Sequence, residues 1–194
     1  MFLLQRPSQQ AIDRFLNDSK DLPLSYGPIG IVDGDTSGRD LDEATVAIGR
    51  GTSDFERARA ALMVRKQLNI GWLEVFSPHT TAAVGTVVAV LIHHMGFWSL
   101  NGCRVIYNVG EGDVARFGYA HGTLINHAEA GEETFEVFLD PRTDAVMYRI
   151  RAMSWPRARL ARAGQPVVRL LQARFRRDSA AAMKRAMHSR GVRA

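Results

Sequence analysis

The 194-residue chain contains a single cysteine, Cys103, and no long apolar segment at its start. One cysteine excludes an internal disulfide framework, and the apolar stretch from Met1 to Leu4 is too short for the core of a signal peptide. Proteins without disulfides or a secretory signal are typical of a reducing compartment. The sequence therefore predicts a cytoplasmic protein.

The sequence also lacks the short motifs that carry common chemistries. It contains no P-loop, no dinucleotide-binding fingerprint, no GxSxG nucleophile elbow and no HExxH zinc motif. The histidines, the cysteine and the carboxylates do not follow a recognised metal-ligand spacing, so we predict neither a metal nor a cofactor. Whether the protein is an enzyme stays open from the sequence.

The composition is that of an ordinary globular protein, with 46% hydrophobic and 23% charged residues. A chain of this length can bury one substantial core, so we expect a single domain over residues 1–194. Within it we expect an N-terminal helix and irregular lead-in (1–43), a sheet body (44–165) and a C-terminal helix (166–188). The apolar segment from Ala82 to Leu100 approaches the length of a membrane span, but its histidines and valines favour a strand, so no transmembrane segment is predicted.

Positive charge is concentrated at the C-terminal end. Residues 149–194 hold 13 of the 25 Lys and Arg residues and one acid, Asp178, whereas residues 1–148 hold 12 bases and 19 acids. The first interpretation of this asymmetry is a helix with a solvated basic face. A nucleic-acid contact and an anionic membrane surface are the alternatives.

Three segments are predicted to be helices. Ser8 is a capping residue before Gln9 to Leu16, and Ser53 with Glu56 matches the capping box at the start of a second helix. The third helix runs from Pro166 to His188. Its apolar stripe and the basic residues opposite are Val168, Leu171, Phe175, Ala182 and Ala186, against Arg169, Arg176, Arg177 and Lys184.

Seven short apolar segments bounded by Gly, Pro or Asn are predicted to be strands. Their connections are too short for parallel crossovers, which indicates an antiparallel meander. The fold class is therefore α+β, with a curved antiparallel β-sheet of about six to seven strands wrapped around a long C-terminal helix. The predicted strands are Ala44 to Gly51, Trp72 to Phe76, Val84 to His93, Cys103 to Val109, Arg116 to Leu124, Glu132 to Leu139 and Ala145 to Ser154.

Titratable groups gather between Gly118 and Phe135. Alternation along the strand places Glu133 on the apolar inner face, where a carboxylate needs a partner, and Glu136 on the outer face opposite Arg149 or Arg151. Three interpretations stay open: a structural hydrogen-bond network, a pocket wall in which Glu133 and His121 bind or catalyse, and a divalent-metal site. The metal site would draw on His121, His127, Glu129, Glu132 and Glu133.

The order of elements resembles the helix-grip fold of START and birch-pollen-allergen-like proteins. That resemblance implies a cavity between the sheet and the C-terminal helix, which in those proteins typically holds lipids or other hydrophobic small molecules. We therefore expect a small apolar or amphipathic ligand as the partner, with an enzyme in the same cavity or a surface-binding basic helix as alternatives. The expected wall residues are Tyr107, Tyr119, His121, Glu133, Phe135, Tyr148 and Phe175.

Several motifs also resemble DUF1990, an uncharacterised protein family, across nearly the whole chain. They are RPSQQAIDRFL near the start, Ala47 to Gly51 followed by Phe55 and Ala58, Cys103 to Tyr107, GTL with His127 and GEETF, and AMSWP. The chain departs from the family pattern in the second helix, where Lys66 and Gln67 stand in place of a usual tryptophan. The resemblance implies a single intracellular domain and supplies no catalytic residues.

Overall fold

Three helices flank the sheet in the computed structural model of the chain. The structure describes residues 2–34, 41–157 and 165–188, and it describes only the backbone of residues 156 and 165–169. Val168 of the predicted apolar stripe and Arg169 of the predicted basic face thus lie outside the described side chains. The helices are α1 (Gln9–Ser19), α2 (Gly51–Met63) and α3 (Gln165–His188), and a 3-10 turn spans Lys66–Leu68.

Within the described residues, one eight-stranded antiparallel sheet runs in the order β2-β8-β7-β6-β5-β4-β3, with β1 paired to β5. The predicted meander is therefore confirmed. The apolar segment from Ala82 to Leu100 contributes to the β4–β5 hairpin, and no helix in the described parts has the length and apolarity to cross a membrane. The strands are β1 (Phe2–Leu3), β2 (Asp42–Arg50), β3 (Leu73–Phe76), β4 (Val87–His94), β5 (Phe97–Val109), β6 (Arg116–Thr123), β7 (Glu129–Leu139) and β8 (Ala145–Pro156).

The β7–β8 hairpin follows the predicted alternation. Phe135 and Tyr148 are buried on the inner face, while Glu136 lies on the outer face and is fully buried there by arginines. Arg116 Nε donates to its carboxylate at 2.6 Å, and Arg149 Nε donates to the other oxygen. The predicted pairing of Glu136 across the hairpin is confirmed, and a buried carboxylate is thereby compensated.

The core lies between the inner face of the sheet and helices α2 and α3. Phe55, Ala58 and Leu62 of α2 and Met183 of α3 pack against the apolar residues of β6, β7 and β8. Ser179 Oγ of α3 lies 2.8 Å from Tyr148 Oη, which ties the helix to β8. The sheet therefore curls around the C-terminal helix, as the sequence predicts.

The predicted helix starts differ in accuracy. Ser8 caps α1 as expected, since its Oγ accepts from Ala11 N at 3.3 Å. The predicted capping box of Ser53 and Glu56 at the start of the second helix is wrong. Gly51, at φ +75°, turns the chain from β2 into α2, so that the capping position is Arg50, three residues before the predicted Ser53. Asp54 supplies the carboxylate that accepts from Arg50 N at 2.8 Å.

Candidate functional site

A cavity of about 280 Å³ lies between the inner face of the sheet and helix α3. Ligand pockets in proteins span roughly 300 to 1,000 Å³, so this cavity suits a small molecule. The apolar part of its wall comes from the 3-10 turn, strands β3, β4 and β7, and α3. The described residues of that part include Leu68, Trp72, Leu73, Val90, Ile92, Phe135, Leu171 and Phe175.

The polar part of the wall centres on two neighbouring strands. His121 of β6 lies directly opposite Glu133 of β7, and both line the cavity. Side chains of directly opposed residues start about 4.5 to 5.5 Å apart at Cβ, so the two groups share one small region. The pair singled out from the sequence is brought together by the strand register.

Glu133 is a carboxyl group without a hydrogen-bond partner among the described residues. Its remaining accessible surface faces the cavity. Burial, and then repulsion from Glu129, raise the pKa of the Glu133 carboxyl to about 8. At neutral pH this carboxyl is therefore largely protonated. A partner that stabilises its negative charge would favour the ionised form.

His121 is a neutral imidazole in an apolar surround. Its side chain is 6% exposed, and Nε2 has no hydrogen-bond partner among the described residues. The ring packs against Tyr119 and Phe135, with centroids 5.2 and 5.6 Å apart. Burial, together with the nearby Arg65 guanidinium, lowers the pKa of His121 to about 3. One ring nitrogen thus remains available for a hydrogen bond.

A short chain of hydrogen bonds links the polar wall to helix α3. Gln172 Nε2 donates to Ser154 Oγ at 3.2 Å, and Ser154 Oγ donates to Glu129 Oε2 at 3.2 Å. Burial raises the pKa of Glu129, against the lowering effect of these two partners. Glu129 is therefore a second cavity carboxyl, but one with partners.

Two further titratable groups line the cavity in neutral form. Burial lowers the pKa of His127 to about 4, and its Nδ1 accepts from the backbone N–H of Glu129 at 2.9 Å. Burial, and then the carboxyls of Glu133 and Glu129, raise the pKa of the Cys103 thiol to about 12. A thiol in that state is a poor nucleophile.

Glu132, the neighbour of Glu133, lies on the opposite face of the sheet. Its carboxylate accepts from Tyr26 Oη at 2.8 Å, Tyr107 Oη at 2.5 Å and Gly30 N at 2.9 Å. It therefore holds the segment before β2 against the outer face. This placement splits the predicted metal-ligand set, and in the described residues no three His, Cys, Asp or Glu side chains gather as a metal site.

Tyr107 is a correction to the predicted wall. The pairing of β5 with β6 shifts between Val105 and Tyr107, so that Val105 opposes His121 whereas Tyr107 opposes Ala120. The extra residue of this bulge moves Tyr107 to the outer face, where it donates to Glu132. Regular alternation of side chains along β5, without the bulge, predicts Tyr107 on the inner face, and that prediction is wrong.

The other aromatic residues expected in the wall divide into two groups. Phe135 and Phe175 line the cavity and meet edge to face, with centroids 6.3 Å apart. Tyr119 and Tyr148 lie on the same inner face but are buried in the core beside the cavity. Gln67 Nε2 donates to Tyr119 Oη at 2.5 Å. Gln67, one of the two residues that stand where a tryptophan is usual in DUF1990, is thus the hydrogen-bond partner of that buried hydroxyl. A ligand-binding role for the predicted residues stays a prediction.

Arg176, predicted on the solvated face of the last helix, is a cavity residue that the sequence pattern did not indicate. Arg176 lines the cavity and forms an ion pair with Asp42 of β2, which is also a lining residue. Its spacing along the helix could have indicated this position, because Arg176 follows Gln172 by one helical turn and is next to Phe175. Its side chain therefore lies at the edge of the apolar stripe.

Sequence comparison finds relatives over nearly the full length of the chain. A UPF0548 protein of Dictyostelium discoideum is 33% identical over 210 residues, covering 97% of both chains. A UPF0548 protein of Deinococcus radiodurans is 34% identical over 205 residues, covering 96% of this chain and 98% of its own.

Solved structures with the same fold are much more distant in sequence. The KanY protein has a TM-score of 0.54 at 11% identity, covering 78% of this chain and 99% of its own. A hypothetical protein of Helicobacter pylori has a TM-score of 0.53 at 13% identity, covering 84% and 95%. Human STARD10 is similar at a TM-score of 0.48 and 11% identity, covering 94% and 80%.

The sheet curled around the C-terminal helix is the helix-grip arrangement. The family is shown by sequence, since residues 26–182 match the family model described as a domain of unknown function, DUF1990. The full-length relatives agree with that match. The chain belongs to the DUF1990 family.

Proposed function

We propose that the protein binds a small amphipathic molecule in the cavity between the sheet and α3. One observation carries this proposal: an apolar hollow of about 280 Å³ is lined by the half-buried Glu133 carboxyl and the buried His121 Nε2, and neither has a hydrogen-bond partner among the described residues. An unsatisfied buried polar group costs roughly 1 to 3 kcal/mol. A ligand that pairs with these groups recovers that free energy.

The shape of the wall supports the same proposal. Aromatic and aliphatic side chains cover one part of the hollow, and polar side chains cover the part around Glu133. A ligand with an apolar body and one polar end matches both parts at once. A purely apolar ligand would leave Glu133 and His121 Nε2 without a hydrogen-bond partner.

The test is native mass spectrometry of protein purified from cells, followed by solvent extraction. We expect a molecule small enough for the cavity to remain bound under native conditions and to be released on denaturation. Glu56→Gln is the matched control, since Glu56 is exposed on α2 and its loss should not change retention. Protein that carries no ligand, and takes up none of the probes described below, contradicts the proposal.

A second candidate function uses the same cavity for acid–base catalysis. It is favoured by the Glu133 carboxyl, whose pKa of about 8 suits proton transfer near neutral pH. The neutral His121 opposite would orient the reacting group. Conversion of an extracted ligand by the wild type, lost in Glu133→Gln while that variant still binds the ligand, separates catalysis from binding.

The basic residues of α3 give less support to a surface function. The Arg174 guanidinium lies 4.8 Å from the centre of the Trp72 ring, Arg176 pairs with Asp42, and Arg185 donates to Asn69 O at 3.3 Å. These contacts hold the helix to the body of the protein. Three arginines of the helix, including Arg176 of the predicted basic face, are thus engaged with the rest of the protein, which favours the cavity over a nucleic acid or membrane surface.

A further inference from the structure

The charge of the cavity is one-sided. Four carboxyl residues are among its described lining residues. Asp42 is paired with Arg176, the one arginine of that lining, and the Glu132 carboxylate is held on the outer face by Tyr26, Tyr107 and Gly30. Glu129 and Glu133 are the two carboxyls left to face the cavity. Arg65 does not line the cavity, and its guanidinium donates to the backbone carbonyls of the 79–81 segment. Within the described residues, no cation is left to receive a negatively charged ligand.

The three histidines of the lining do not change this balance. Burial lowers the pKa of His94, of His121 to about 3 and of His127 to about 4, so all three are neutral at physiological pH. They can accept or donate hydrogen bonds, but they contribute no positive charge. A carboxylate or phosphate headgroup would therefore meet two acidic groups without a counter-charge.

We propose that the ligand of this cavity is an organic cation, with an ammonium or related nitrogen group on Glu133 and an apolar body against Phe135 and Phe175. This inference rests on the proposed ligand-binding function and names its chemical class. The carboxyl of Glu133 supplies the charge, and repulsion from Glu129 is relieved when a cation sits beside them. Charge-assisted hydrogen bonds of this kind are about twice as strong as neutral ones.

His121 provides an independent reason to expect a nitrogen donor at this point. Its side chain is 6% exposed, lines the cavity and has an unpartnered Nε2. An ammonium group has three hydrogens to donate, and a neutral imidazole offers one acceptor nitrogen. Because His121 and Glu133 oppose each other across β6 and β7, one ammonium can donate to both.

The aromatic part of the wall also suits a cation with an apolar body. Phe135 packs edge to face with both His121 and Phe175, with centroids 5.6 and 6.3 Å apart. Faces of aromatic rings attract cations by roughly 0.5 to 2 kcal/mol, depending on desolvation. Phe135 is thus in contact with the polar group and the apolar wall at once.

The experiment compares three probes of equal length: hexylammonium, 1-hexanol and hexanoate. Isothermal titration calorimetry on the full chain at pH 7 is expected to give hexylammonium at least tenfold higher affinity than hexanoate, with hexanol between them. Between pH 7 and 9 hexylammonium affinity should rise about tenfold, because Glu133 with a pKa of about 8 becomes ionised. Hexanol affinity should stay level over that range.

The groups around Glu133 allow this pH test to be interpreted. Cys103 on β5 has a pKa of about 12, while His94 on β4, His121 on β6 and His127 before β7 have lowered pKa values. None of these changes charge between pH 7 and 9. Two charged features remain. The pKa of Glu129 on β7 is also raised, so its ionisation would change hexylammonium affinity in the same direction as the ionisation of Glu133. The Arg176–Asp42 ion pair joins α3 to β2.

Variants identify the carboxyl responsible. Glu133→Gln should keep hexanol binding and lose the preference for hexylammonium together with its pH dependence, whereas Glu56→Gln should behave as the wild type. If Glu133→Gln does not fold, Glu129→Gln should show a smaller loss of the same preference. Hexanol binding without a preference for hexylammonium would overturn the cation inference alone. Failure of all three probes to bind would overturn the proposed binding function with it.

Discussion

At the scale of single residues, Glu132 and Glu133 show how neighbours in one strand acquire opposite roles. Glu132 accepts hydrogen bonds from Tyr26, Tyr107 and Gly30 on the outer face, whereas Glu133 faces the cavity without a partner among the described residues. Side chains alternate between faces along a strand, so adjacent identical residues must differ in surroundings. The first carboxylate is tied into the fold, and the second carboxyl is the group to which we assign the proposed ligand contact.

Replacement of Glu133 by Gln should make folding stability less dependent on pH. The folded-state pKa of about 8 lies above the ordinary value of 4.5, so the folded state binds the proton more tightly than the unfolded state. Wild-type stability conferred by this group is therefore present below pH 4.5 and is lost as pH rises toward 8. At pH 9 the variant should exceed the wild type by roughly 2 kcal/mol, since it carries no buried charge.

Urea unfolding of both proteins at pH 4 and pH 9 measures this difference. At pH 4, where the wild-type carboxyl is protonated in the folded state and largely protonated in the unfolded state, the two free energies of unfolding should nearly coincide. A variant less stable than the wild type at pH 9 would show that the Glu133 carboxylate has a stabilising partner.

At the scale of elements, alternation and capping signals predict the structure where the chain is regular and fail where it is interrupted. The β7–β8 hairpin, with Glu136 outside and Phe135 inside, follows the period-2 pattern residue by residue. The β5 bulge before Tyr107 follows from its pairing with β6, which the local sequence does not display. The start of α2 at Gly51 depends likewise on the end of β2.

The close approach of β6 to β7 gives a prediction at this scale. A Cβ built on Gly118 lies 2.4 Å from the backbone oxygen of Phe135, so Gly118→Ala should force the two strands apart. We expect a loss of roughly 3 kcal/mol in unfolding free energy. Gly71→Ala is the matched control, because a Cβ there meets nothing within 4 Å and its φ is not in the left-handed region. Equal effects of the two substitutions in thermal unfolding would contradict the strand contact.

At the scale of the whole molecule, the cavity exists because α3 and the sheet meet through large side chains at a few points. Phe175 contacts Phe135 on one side, and Ser179 meets Tyr148 one turn later. Between β8 and the helix, Ala152 and Ser154 are too small to fill the space that remains. The prediction of a single domain over residues 1–194 stays a prediction.

Filling this space should abolish binding without loss of the fold. Ala152 lines the cavity directly opposite Glu133, so Ala152→Leu projects an apolar side chain into the hollow. We expect hexanol affinity to fall at least tenfold, with a melting temperature equal to or above that of the wild type, because filling a cavity offsets lost packing. Ala47→Leu on the exposed side of β2 is the matched control and should leave binding unchanged. Retained affinity in Ala152→Leu would place the ligand elsewhere.

The sequence by itself determined which residues face inward along the regular strands and that the last helix is amphipathic. It also placed His121 and Glu133 on one face of neighbouring strands. Those features depend on local periodicity, which each segment carries in its own residues.

Only the tertiary structure decided that Tyr107 turns outward, that Arg176 pairs with Asp42 at the cavity, and that Glu133 faces the hollow without a partner among the described residues. Each of these depends on the packing of segments far apart in the chain, including a bulge, a helix rotation and the volume left between small side chains. Such packing is a property of many residues at once, so no local pattern contains it.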